Sequence, residues 1–81
     1  MHISDEVRAA LIQRGFCTSD ATTYNRTIAT GGAFGRTTQI VQIDPTGRWL
    51  ERIDGWGNVE RDCDLRDYAG RAAAAVDAVL A

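Results

Sequence analysis

Eighty-one residues allow one small domain and no more, and a chain of this length buries only a modest core. The hydrophobic fraction of 44% and charged fraction of 25% lie in the ordinary globular range. The formal net charge is −2 and all nine basic residues are Arg, so there is no bulk basic excess of the kind nucleic-acid domains carry. The start, Met1-His2-Ile3-Ser4-Asp5-Glu6, has neither the basic nor the apolar part of a signal peptide, and no apolar run is long enough to cross a membrane. The expectation is a cytoplasmic protein with reduced thiols.

In chain order, a first helix is expected from about Asp5 to Arg14. Ser4 suits its N-cap, and Asp5 and Glu6 suit the positive end of its dipole. Val7, Ala10 and Leu11 line one face, and Gly15 fits the left-handed position that ends a helix. Phe16 and Leu11 would then be the touching pair of a Schellman motif. Cys17 to Asp20 reads as a loop. A mostly polar edge strand comes next, over about Thr22 to Thr30, then the glycine-rich hairpin connection Gly31 to Gly35. Tyr24, Arg26 and Ile28 share one parity on this strand, which leaves its register open.

A second strand covers about Arg36 to Asp44. Asp44-Pro45-Thr46-Gly47 has the residues of a type I turn, with Gly47 expected as a G1 bulge. A third strand runs from Arg48 to about Asp54, a second turn covers Gly55 to Asn58, and Val59 to Cys63 forms a short fourth strand or an extended lead-in. A second helix is expected from about Leu65 to the end, capped by Asp64, with Leu65, Tyr68, Ala69, Ala72, Val76, Val79 and Leu80 on one side. On its other side Asp67 and Arg71 stand four apart and can pair. No internal repeat stands out. The fold class is α+β: one α-β-β-β-α domain over residues 1–81, an antiparallel three-stranded meander packed on one face by both helices.

The bulged turn predicts that Ile43 meets Trp49, Val41 meets Glu51 and Gln39 meets Ile53. Those six residues would form the helix-covered face. Thr38, Ile40, Gln42, Leu50, Arg52 and Asp54 would form the face left to solvent or to a partner.

No catalytic set assembles: there is no Lys, His2 is terminal, and Ser4 and Ser19 have structural roles. The acidic residues Asp54, Glu60, Asp62, Asp64 and Asp67 lack the spacing of a calcium loop and alternate with Arg61 and Arg66. The glycine-rich stretch does not match a phosphate loop. Cys17 and Cys63 fit no metal or redox spacing and read as two small, half-buried residues, although a disulfide between them is geometrically open. No cofactor and no metal are expected.

The α-β-β-β-α order resembles the topology of double-stranded RNA-binding domains. That family places a basic cluster at the start of its last helix, where this chain has Asp62, Asp64 and Asp67. The stretch from Gly47-Arg48-Trp49 to the Ala-rich helix resembles the three-strand-plus-helix DNA-binding domains of the AP2 and integrase arm-binding type. That resemblance would give Arg36, Arg48, Arg52 and Trp49 base-reading roles. Trp49 and Tyr68 are otherwise expected in the core.

Two functions fit these residues. The first is a small non-enzymatic protein that binds another protein, such as a phage- or mobile-element-encoded inhibitor of the anti-CRISPR kind acting by steric blocking. Its contact residues would be Phe34, Arg36, Arg52, Asp54 and Trp56. The alternative is a nucleic-acid-binding module using the Arg and aromatic residues of the sheet. A homodimer through the thin Ala-rich helix is a further possible assembly.

Overall fold

The computed structural model describes residues 3–20, 22–29, 31 and 35–81. The fold is α+β, an antiparallel sheet with an N-terminal and a C-terminal helix. In chain order the elements are α1 (Ile3–Gln13), β1 (Cys17–Thr18), β2 (Thr23–Ala29), β3 (Arg36–Ile43), β4 (Trp49–Ile53), β5 (Val59–Asp64), a 3₁₀ turn (Leu65–Tyr68) and α2 (Ala72–Leu80). The sheet has five strands in the order β1-β2-β3-β4-β5, every neighbouring pair antiparallel. The expected three strands thus gain a full β5 and the two-residue β1, for which the polar run Cys17 to Asp20 carries no periodicity.

α1 ends as its sequence requires. Gly15 has φ +87°, the Phe16 N–H donates to Leu11 O at 3.1 Å, and the Gly15 N–H donates to Ile12 O at 3.0 Å. That is the full Schellman bond pair, and it turns buried Phe16 back toward buried Leu11. At the other end α1 begins at Ile3, so Ser4 lies inside the first turn rather than at the cap. Serine costs only a few tenths of a kcal/mol in a helix, which lets the first turn extend past it.

The register of the central hairpin differs from the one the bulged turn implied. Ile43 pairs with Leu50, Gln42 with Glu51, Val41 with Arg52 and Ile40 with Ile53. The loop holds one residue more, because the Asp44 carboxylate takes over ladder bonds. Its Oδ1 accepts from the backbone N–H of Arg48 at 2.9 Å and of Trp49 at 2.8 Å, while Thr46 Oγ1 donates to Oδ2. A one-residue slip moves every side chain of a strand to the other face. Here it buries Leu50 completely and places Trp49 outside.

The tighter bulged turn occurs in the next hairpin instead. There Asp54 pairs with Asn58, Gly57 has φ +85°, and Asp54 Oδ1 accepts from the N–H of Trp56 and of Asn58. The two successive hairpins, Ile43-Asp44 and Ile53-Asp54, therefore reuse one device, an aspartate that closes its own loop, although the sequence shows no obvious repeat.

The second helix also departs from expectation. Asp64 caps as expected, accepting from the Arg66 N–H, but the residues it caps form a 3₁₀ turn. Gly70 then adopts φ +74° and breaks the run, and α2 starts only at Ala72. A glycine costs about 1 kcal/mol within a helix and nothing in the left-handed region, so the chain bends there. Arg71 consequently reaches the Asp67 carbonyl at 2.8 Å rather than its carboxylate.

One cluster forms the core. Val7, Ala10, Leu11, Phe16, Tyr24, Val41, Ile43, Leu50, Leu65, Ala72, Ala75, Val76 and Val79 are all buried, with Tyr68 packed against them. α2 lies on β4 and β5, and α1 packs against α2, so both helices sit on one side of the sheet.

Arg26 resolves the parity conflict of β2. It shares the inner face with Tyr24, but lies where that face runs out beside the end of α1. Its guanidinium donates to Arg14 O at 2.7 Å and Gln39 Oε1 at 2.8 Å, with its carbon 4.7 Å from the Phe16 ring centroid. A cation at a helix C-terminus complements the dipole and satisfies an orphan carbonyl.

Candidate interaction surface

The face of the sheet away from the helices is open, and the strand register dictates its residues. At one level, Asn25, Ile40, Ile53 and Val59 lie side by side across β2, β3, β4 and β5. Two residues along, Thr23, Gln42, Glu51 and Asp62 form a second row, with Gln42 Nε2 donating to Glu51 Oε1 at 3.1 Å. A third level holds Trp49 opposite Asp64. Ile40, Trp49 and Ile53 are half-buried and Val59 is 48% exposed. Trp56, at the tip of the β4–β5 hairpin, is 89% exposed, the largest apolar exposure among the described residues. Its conformation is set by the Asp54 carboxylate, which holds the turn's N–H groups and leaves the indole outside the fold.

The residues expected to make contacts do not form one patch. Trp56 is fully presented. Arg36 is exposed at the start of β3, opposite Ala29. Asp54 is spent on its own turn, and its carboxyl titrates below the usual range, chiefly because the Asn58 N–H donates to it. Arg52, expected on the open face, points to the helix side: its partner across the ladder is buried Val41, and its guanidinium donates to Ala81 O at 3.3 Å and lies 3.7 Å from Glu60. Phe34 lies outside the described residues. Ile40 lies on the open face, as expected. Ile53 and Trp49 join it there against expectation, because one extra loop residue reverses the parity of β4, and Val59 follows as the partner of Ile53 on β5.

Electrostatics on this side are acidic toward β5. Glu51 and Asp62 are carboxylates directly opposite each other, a pairing that costs free energy in a sheet. Asp64 is neutralised: Arg66 and Arg48 both bond it, which lowers its carboxyl to about 2, with Arg66 the larger cause. Arg48 also lies over the Trp49 ring, 5.0 Å from its centroid, and so covers part of it. Five more arginines are engaged within the chain. Arg14 is paired with Asp77 at 2.8 Å, Arg61 donates to Ala78 O, and Arg71 lies over Tyr68. With Arg26 and Arg52, seven of the nine arginines make contacts among the described residues.

Cys17 and Cys63 are free thiols. Cys17 sits on β1 opposite Asn25 and Cys63 on β5 opposite Leu50, at opposite edges and on opposite faces of the sheet. Four strand spacings, about 19 Å, separate them, which rules out a disulfide within one chain. Burial raises the Cys63 thiol, helped by Asp62, Asp64 and Asp67, so it is a poor nucleophile. Among the described residues no group of three or more His, Cys, Asp or Glu is placed to hold a metal ion, and no helix is long and apolar enough to cross a membrane. No protein-family model matches the chain, and no curated protein or solved structure matches it either.

Proposed function

We propose that the chain acts by binding another protein through the open face of its sheet, blocking that partner sterically in the manner of a phage- or mobile-element-encoded inhibitor. The observation that supports it is the exposure of Trp56 at 89% beside the apolar row Ile40, Ile53 and Val59 on a face that no helix covers. Tryptophan is enriched where interfaces concentrate their energy, and a contiguous apolar patch on a small protein marks a contact site. The nucleic-acid reading has less support. Arginines that phosphate contact would need are bonded to carboxylates and helix carbonyls within the chain, and the open face carries Glu51 and Asp62.

The test is affinity capture from the native host lysate with the wild-type chain and with a Trp56→Ala/Val59→Thr double variant. Both positions are exposed, so thermal stability should stay within about 0.5 kcal/mol. Proteins retained by the wild type and lost by the variant are the expected result. An identical set with both chains, or none with either, would refute the reading.

A further inference from the structure

The sheet offers two routes to a partner: adding a strand at an edge, or covering the open face. The edge at β5 is protected against the first. The strand carries an irregularity between its pairings to Arg52 and Ile53, and it exposes Glu60, Arg61 and Asp62 in succession. Bulges and charges are the usual means of keeping an edge unpaired. Pairing with a second copy is disfavoured further. A two-fold axis normal to the sheet puts either Arg61 against Arg61 or Asp62 against Asp62 in the central registers. At the other edge β1 is only two residues long and leaves four residues of β2, Arg26 to Ala29, without a partner on that side, a short stretch that includes Arg26 and Thr27. The face offers the larger apolar surface.

Its pattern is directional. The apolar row Ile40, Ile53, Val59 crosses three strands at right angles to them, a span of about 10 Å at the usual strand spacing. The carboxylate row Glu51, Asp62 runs beside it, about 7 Å away along the strands. On an α-helix, residues at i, i+4 and i+7 lie along one stripe and cover about 10 Å, matching the apolar row residue for strand. A helix laid on that row, across the strands, brings one flank over Glu51 and Asp62. These two like charges face each other, and only Gln42 bonds Glu51 among the described neighbours. A cationic flank is what that arrangement lacks.

Resting on the protein-binding reading above, we infer that the open face receives a basic amphipathic helix of a partner protein, with its apolar stripe on Ile40, Ile53 and Val59 and Lys or Arg side chains over Glu51 and Asp62. Trp56, at the hairpin tip beyond Ile53 and Val59, then flanks the stripe on the side away from Glu51 and Asp62. Charge complementarity decides between candidates: a second copy would bring its own acidic row to the same place, and nucleic acid would bring phosphates.

The probe is a pair of synthetic stapled helical peptides of about 14 residues, roughly four turns, with Leu along one stripe and either Lys or Glu along the adjoining flank. Each is titrated into the isotopically labelled full chain and followed by amide chemical shifts. The Lys peptide should shift the amides of Ile40, Gln42, Glu51, Ile53, Val59 and Asp62, and should bind at least about tenfold more tightly than the Glu peptide. A Glu51→Gln/Asp62→Asn variant should lose about fivefold for the Lys peptide and gain for the Glu peptide, as two rim ion pairs would give. Equal affinity of the two peptides, shifts confined to α1 or α2, or no effect of the double variant would overturn the inference. Should neither peptide bind while lysate capture still depends on Trp56 and Val59, the helical, basic occupant is wrong and the protein-binding reading stands. Loss of both results sinks both.

Discussion

Replacing Arg26 by Met keeps the length of the side chain and removes everything its guanidinium does. The wild-type group donates to Arg14 O at the end of α1 and to Gln39 Oε1 on β3, and rests on the Phe16 ring. A hydrogen bond from a charged donor to a part-buried helix-end carbonyl contributes about 1.5 kcal/mol, the bond to Gln39 about 1 kcal/mol, and the cation–ring contact about 0.5 kcal/mol. The total is about 3 kcal/mol, and for a domain of this size each kcal/mol moves the melting midpoint by roughly 4–8 °C. Arg26→Met should therefore lower the midpoint by at least about 12 °C and reduce the urea midpoint without changing the slope. Arg26→Lys, which keeps the charge but not the two-pronged geometry, should lose about half as much. A double-mutant cycle with Gln39→Leu should return a coupling of about 1 kcal/mol. If Arg26→Met shifts stability by less than about 0.5 kcal/mol, as an ordinary surface substitution does, Arg26 does not tie α1 to the sheet.

The same structure makes three further outcomes testable. Leu50→Ala should cost about 2–5 kcal/mol by emptying a fully buried site, whereas Trp49→Thr on the open face should cost far less; equal losses would restore the register in which Trp49 faces the helices. Asp64, held at about 2 by Arg66 and Arg48, has a folded-state pKa below its ordinary 3.8. Its stabilisation is fully present above the unfolded pKa and is lost as pH falls from about 4 toward 2, so Asp64→Asn should flatten the acid limb of a stability–pH profile; an unchanged limb would show that the two arginines do not act on it. In thiol labelling of the native protein, exposed Cys17 should react at least about tenfold faster than Cys63, whose thiol is partly buried among carboxylates, and reduction should not change the mass or mobility of the monomer. Comparable rates would contradict the packing of Cys63 under α2.

Local rules carry much of the fold. The Gly15–Phe16 stop of α1, the Asp64 cap, the positions of β2, β3 and β4 and the apolar stripe of the last helix all depend on residues within a turn or two of each other, so their chemistry is visible in the sequence. Features that span the chain are not visible there. The loop at Asp44 is decided by whether an aspartate carboxylate bonds Arg48 and Trp49, which local composition leaves open. That single choice exchanges Leu50 for Trp49 in the core, turns Arg52 toward α2, and puts Ile53 and Val59 on the open face. Gly70 reads in the sequence as a weak point in one helix. The packing of the 3₁₀ turn and α2 over β4 and β5 makes it the bend between them. Sequence thus determined the kind of element at α1, β2, β3, β4 and α2, because those depend on near neighbours, but not β1 or the 3₁₀ turn before Gly70. The tertiary structure decided which side of each strand meets the helices, and with it which residues a partner can reach, because register is fixed by one turn and by the core that rewards it.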